Sequence, residues 1–118
     1  MKKLLTTSLF FAFTSLFANE VQIIKVNAEC DKNKTCSFHV TLKHNDTGWE
    51  HFANKWEVYT ADNKLLATRT LHHPHVNEQP FTRSLGNVKI PKGLNKVIIK
   101  AHDTVHGYSA NTYEYTLK

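Results

Sequence analysis

Sulfur is almost absent from this chain. Its 118 residues hold one methionine, Met1, and two cysteines, Cys30 and Cys36. Two cysteines cannot complete a structural zinc site of the all-thiolate kind. If Met1 is removed with a leader, no thioether remains either, which disfavours a Cu(I) site. The sequence also lacks a block of like charge. Its 15 Lys and Arg and 10 Asp and Glu are scattered, so no basic stripe exists to follow a phosphate backbone, and no nucleic-acid partner is expected. No apolar run reaches the roughly 20 residues of a bilayer-spanning helix. There is no internal repeat, low-complexity tract or interdomain linker, and no useful helical period follows the first residues. Neither His-Glu-x-x-His nor Gly-x-Ser-x-Gly occurs, which removes the compact signatures of a zinc peptidase and of a nucleophile elbow.

What is present begins with a leader. Met1-Lys2-Lys3 is a basic start, Leu4 to Leu16 is a short apolar stretch broken by Thr and Ser, and Phe17-Ala18 ends in a small residue. This is the pattern of a secretory signal peptide over residues 1–18, cut after Ala18. No cysteine lies near the cut, so a lipid-anchored product is not expected. The exported chain is then 19–118, a length suited to one domain in the periplasm or outside the cell. Loss of Lys2 and Lys3 lowers the formal charge from +5 to +3. In that oxidising compartment Cys30 and Cys36 are expected to pair.

The remainder reads as strands and turns. Residues 21–28 are rich in β-branched side chains. Residues 36–44 alternate, with Phe38, Val40 and Leu42 on one face and Ser37, His39, Thr41 and Lys43 on the other. Further strands are expected at 54–60, 65–71, 81–85 with 88–90 after a bend at Gly86-Asn87, 96–103 and 112–117. Strand parity puts Trp56 and Phe38 in the core. About seven short strands indicate an all-β, immunoglobulin-like antiparallel sandwich over 19–118, with a small barrel as the alternative.

Three pieces carry a resemblance. They are His44-Asn45-Asp46-Thr47-Gly48-Trp49-Glu50-His51-Phe52-Ala53-Asn54-Lys55-Trp56, then His73-Pro74-His75-Val76-Asn77-Glu78-Gln79-Pro80-Phe81-Thr82-Arg83-Ser84, then Ala101-His102-Asp103-Thr104-Val105-His106-Gly107. Together they resemble a family of small secreted bacterial β-sandwich proteins with a His-Pro-His-Val-x-Glu-Gln-Pro-Phe-Thr-Arg-Ser motif. The resemblance implies a periplasmic β-sandwich and brings no reaction with it. The cysteine hairpin stands outside the shared pattern.

The same pieces hold the candidate chemistry. His44, His51, His73, His75, His102 and His106 all fall at strand ends or in loops. Alternating strand direction lets the 44–53, 72–80 and 104–108 connections gather at one end of a sandwich. Imidazole suits Zn(II) and Cu(II), while Asp46, Glu78 and Asp103 are candidate oxygen ligands or acceptors that orient a ring. Trp49 and Tyr108, with Phe52 and Phe81, offer aromatic surface to an unidentified protein or small ligand. Glu78 and Arg83 are a candidate ion pair pinning the long loop. The favoured expectation is a non-enzymatic binding module with a divalent-metal or partner site; the alternative is a metal-dependent hydrolase at the same end. A Ser84–His75–Asp103 triad is disfavoured, since only geometry identifies one. Asn33, in Asp31-Lys32-Asn33-Lys34-Thr35, meets the Asn-x-Thr rule for glycosylation with an acid two residues before it. Asn45-Asp46-Thr47 meets only the short rule.

Overall fold

The computed structural model describes residues 19–118. The signal peptide read in residues 1–18 lies outside the described residues. Eight strands follow: β1 (Gln22–Cys30), β2 (Thr35–Lys43), β3 (Ala53–Thr60), β4 (Leu65–Thr70), β5 (Phe81–Lys89), β6 (Lys96–Asp103), β7 (Gly107–Tyr108) and β8 (Tyr113–Thr116). One sheet has the order β1-β2-β5. The other has β4-β3-β6, with β7 and β8 both pairing with β6. All pairings are antiparallel. The fold is therefore the expected immunoglobulin-like sandwich. No helix of the described residues is long and apolar enough to cross a membrane.

Alternation builds the core. On β2, Cys36, Phe38, Val40 and Leu42 are buried, and the residues between them are partly open. On β3, Trp56 and Val58 face the same interior, and on β6 Val97, Ile99 and Ala101 do so. Trp56 and Phe38 are fully buried, as their parity requires. Cys30 and Cys36 are register partners at the end of the β1–β2 hairpin and form a disulfide. Asp31 organises that turn: one carboxylate oxygen accepts the backbone N–H of Asn33 at 2.8 Å and of Thr35 at 3.0 Å. Asn33 itself is exposed.

Two local readings change. The bend expected at Gly86-Asn87 is a bulge within one continuous strand. Cys36 faces Val88 and Phe38 faces Leu85, so Ser37 alone stands opposite Gly86 and Asn87. Asn87 takes φ +61°, which places the extra residue without ending the ladder. The second change is β7. Gly107-Tyr108, expected as loop, returns to pair with His102 and Asp103. Gly107 makes that return at φ +79°, which a side chain would resist. Two residues are too few for alternation to reveal.

Candidate metal centre

Two buried rows of the sandwich run out at the same end in polar side chains. On β2 the inward row Phe38, Val40, Leu42 continues one step past the strand to His44. On β6 the row Val97, Ile99, Ala101 ends in Asp103. Both His44 and Asp103 are buried. The β2–β3 loop crosses this end and brings in His51, and the β6–β7 turn brings in His106. Backbone bonds fix these connections: Thr104 N–H donates to Phe52 O at 3.1 Å, and Gly48 and His51 form an isolated bridge.

Asp103 is the hub. His51 Nε2 lies 3.4 Å from its Oδ1, His106 Nδ1 3.3 Å from its Oδ1, and His44 Nε2 3.8 Å from its Oδ2. The rings of His44 and His51 meet edge to face at 4.8 Å, and those of His51 and His106 are 5.1 Å apart. Oδ1 of Asp103 also accepts the backbone N–H of Val105 and His106. Burial by itself would raise the Asp103 pKa. The two N–H donors and the neighbouring His106 and His44 outweigh it, and the carboxyl is held below its ordinary value.

Two atoms in this group are buried without a hydrogen-bond partner: His51 Nε2 and Asp103 Oδ2. Ligand atoms of His44, His51 and Asp103 all lie within 4.8 Å of one another. With bonds of about 2.0–2.1 Å, a tetrahedral zinc ion needs its ligand atoms about 3.4 Å apart. The 3.4 Å His51–Asp103 and 3.3 Å His106–Asp103 contacts already have that spacing. The group is thus compatible with holding a metal ion.

Asp46 supports the centre from behind. It is buried, and its Oδ1 accepts from His44 Nδ1 at 2.5 Å and from the Ala53 backbone at 3.0 Å. Its Oδ2 accepts the His75 backbone N–H at 2.8 Å. Gln79 adds a second tie, accepting from His44 N at 3.0 Å and donating to His75 O at 2.9 Å. The β4–β5 loop is thereby pinned to the β2–β3 loop. The other ring nitrogen of His44, Nε2, faces the interior and donates to the Asn19 carbonyl at 2.9 Å, a bond that a metal ion on Nε2 would replace.

The six histidines do not form one group. His44, His51 and His106 surround Asp103. His73 and His75 form a separate pair, ring centroids 4.7 Å apart. His75 stacks on Phe81 at 4.1 Å and accepts from Arg83 through Nε2 at 2.8 Å. Burial, then the Arg83 charge, hold its pKa below the ordinary value. His102 has the opposite parity from Asp103 and sits on the outer face of β6. Its Nδ1 bonds Asn54 Oδ1 at 2.7 Å and its ring abuts Tyr108. The Glu78–Arg83 pair is formed at 3.4 Å. No Ser84–His75–Asp103 triad assembles: Ser84 Oγ bonds His39 Nδ1 at 2.6 Å, and His75 Nε2 is engaged by Arg83. Trp49, 68% exposed, leans edge-on against Phe52, and Tyr108 is also exposed.

Sequence reasoning did not single out Gln79 or Asn19, because each acts through one amide or carbonyl group that only the folded loops bring to His44. A cavity of about 330 Å³, lined by Thr60, Asp62, Lys64, Pro91, Lys92, Gly93 and Leu94, lies at the opposite end, where no histidine lines it.

Comparison with known proteins adds little chemistry. No protein-family model matches the chain. It is 34% identical over 95 residues to a protein from Halomicrobium mukohataei whose printed name is "Putative lipoprotein"; the match covers 80% of this chain and 46% of that protein. The chain therefore spans less than half the length of the curated relative it matches.

Proposed function

We propose that this chain is an exported, non-enzymatic immunoglobulin-like module whose loop end holds a divalent metal ion, zinc or Cu(II). His44, His51 and Asp103 are its ligands and His106 is the fourth candidate. The observation that carries this reading is the orphaned pair, His51 Nε2 and Asp103 Oδ2, buried in one group of ligand-type atoms. A buried polar group without a partner costs about 1–3 kcal/mol, more when charged, and a cation in reach of both offsets that cost. Imidazole and carboxylate are donors that zinc and Cu(II) accept. Asp46 on the far nitrogen of His44 is the kind of outer carboxylate that fixes a ligand ring.

Export to the periplasm or beyond is supported by the leader-like start, by the disulfide, by the resemblance of the three His-containing pieces to secreted β-sandwich proteins, and by the lipoprotein name of the relative. The cavity beside His44, lined by Glu20, Gln22, Lys43, His44 and Asn45, is about 110 Å³. That is below the roughly 300–1,000 Å³ of small-molecule sites, room for an ion and water rather than for an enclosed organic ligand. Exposed Trp49 and Tyr108 are the surface offered to a protein partner or small ligand.

The test is direct. Protein comprising 19–118 is stripped with chelator and titrated with Zn(II) or Cu(II). One ion per chain is expected, with a rise in melting temperature that chelator reverses; at a hundredfold excess over Kd the gain is about 2.7 kcal/mol. His51→Ala should abolish the effect and leave the fold, because His51 Nε2 has no hydrogen-bond partner to lose. His102→Ala should change nothing. An unchanged melt with no bound metal would remove the proposal.

A further inference from the structure

We infer that the end of the sandwich opposite the histidine cluster docks on a bilayer of anionic phospholipid, through lysines carried by three connections. The metal centre plays no part in this. Along the sequence the cations are scattered, but the fold separates charge. The β1–β2, β3–β4 and β5–β6 connections all fall at one end. On them and at the adjoining end of β5 lie Lys32, Lys34, Lys64, Lys89 and Lys92, against Asp31 and Asp62. The other end carries Glu20, Asp46, Glu50, Glu78 and Asp103, against Lys43 and an Arg83 already paired with Glu78. One pole is therefore basic and the other acidic, and such a field orients the molecule toward an anionic surface.

The lysines are accessible. Lys32, Lys64, Lys89 and Lys92 are exposed, and Lys34 is half-buried. Among the described residues the ion pairs of Lys and Arg are Lys55–Glu57, Arg83–Glu78 and Lys96–Glu114, so no carboxylate pairs with any of the five. Both aspartates serve their own turns: Asp31 accepts the N–H groups of Asn33 and Thr35, and Asp62 accepts the Thr60 hydroxyl. Backbone bonds fix the connections, with Ile90 N–H donating to Lys34 O at 2.9 Å and Thr60 N–H to Lys64 O at 2.9 Å. Two hollows meet here. Lys64 and Lys92 stand in the wall of the 330 Å³ cavity. A second hollow of about 270 Å³ is lined by Lys32, Asn33, Lys34, Ile90 and Lys92. Lys92 belongs to both, so four lysines border adjoining hollows.

Residue type selects the partner. Residues 31–34, 61–64 and 90–95 include no aromatic side chain and no arginine. Protein interfaces concentrate their binding energy in Trp, Tyr and Arg, and this end has none on its connections. Lysine is a compact point charge on a flexible stem with rotatable donors. That suits the phosphates of lipid headgroups, which shift laterally and present no fixed geometry to a rigid fork. Leu65, half exposed beside Lys64, adds apolar contact at headgroup depth. Docked by this end, the chain holds its histidine cluster away from the membrane.

The experiment sediments protein comprising 19–118, in chelator, with phosphatidylcholine vesicles that contain or lack phosphatidylglycerol. Binding is expected only with phosphatidylglycerol. It should vanish between about 0.1 M and about 1 M salt, where the Debye length falls from about 10 Å to about 3 Å. Lys34→Gln and Lys92→Gln should each weaken binding about fivefold, the share of one lysine near an anionic surface, while Lys25→Gln on β1 should stay within about twofold. Lys25 and Lys92 are exposed, so neither change disturbs the core. Trp49, exposed at the opposite end, should keep its emission wavelength when vesicles bind. A blue shift of Trp49 would mean that the histidine end inserts, and would overturn the inference. Equal losses in all three variants would reduce the effect to net charge and overturn it too. So would absence of binding to phosphatidylglycerol vesicles at low salt. Binding to dextran sulfate without binding to vesicles would assign the lysines to an anionic polysaccharide and refute the bilayer.

Discussion

Asp46→Ala tests whether the loop end is held by one buried carboxylate. Asp46 accepts three hydrogen bonds, from Ala53 N, His75 N and His44 Nδ1. Truncation leaves three donors facing a small apolar gap. Each unmet buried donor costs about 1–3 kcal/mol, so the loss should total roughly 3–9 kcal/mol. That is a large share of the roughly 5–15 kcal/mol available to a domain of this size. With a urea slope of about 2 kcal/mol per molar, the midpoint should fall by roughly 1.5–4.5 M. Buried Trp56 and exposed Trp49 let fluorescence follow the transition. Asp46→Asn keeps the shape and one oxygen but turns an amide N–H₂ toward a donor, and should fall between wild type and Asp46→Ala. Metal affinity should drop about 10–100-fold in Asp46→Asn, because the far side of the His44 ring loses its carboxylate. A loss under about 1 kcal/mol in Asp46→Ala would refute the claim that this carboxylate holds the two loops together.

Reduction of the Cys30–Cys36 bridge, or Cys30→Ala with Cys36→Ala, should cost about 2 kcal/mol on the chain-entropy account of a short loop; an unchanged urea midpoint would contradict it. Glu57 gives a pH dependence on the outer face of β3. Burial pushes its pKa up, but hydroxyl donors Tyr108, Tyr59 and Thr68 and the Lys55 charge prevail, leaving it below the ordinary value. The unfolded chain then takes up the proton first as pH falls. Its contribution is present above the ordinary carboxylate range and is lost as pH drops through the lowered folded value. Glu57→Gln should therefore flatten the acid limb of stability measured between pH 7 and pH 3, and a variant with the same acid slope as wild type would contradict it.

Strand alternation carried most of the architecture in plain view. Phe38, Val40 and Leu42 on β2, and Val97, Ile99 and Ala101 on β6, mark their inward rows without coordinates, because side chains alternate across a strand regardless of what packs above them. The same rule, extended one step, reaches His44 past β2 and Asp103 at the end of β6. It turns His102 outward, although it lies next to Asp103 in sequence. The two-residue β7 and the bulge at Gly86-Asn87 escape such reading because neither is long enough to show a period.

By itself, then, the order of residues determined which faces are apolar, which turns link them and which cysteines meet across one hairpin, since all of these depend on neighbours a few positions apart. Tertiary structure alone decided that His44, His51 and His106 meet at Asp103 while His73 and His75 stand apart beside Arg83. It also decided that Asp46 and Gln79 tie separate loops together and that Asn19 reaches His44. Those choices depend on how two twisted sheets bring distant strand ends within a few ångströms, and no local pattern encodes that distance.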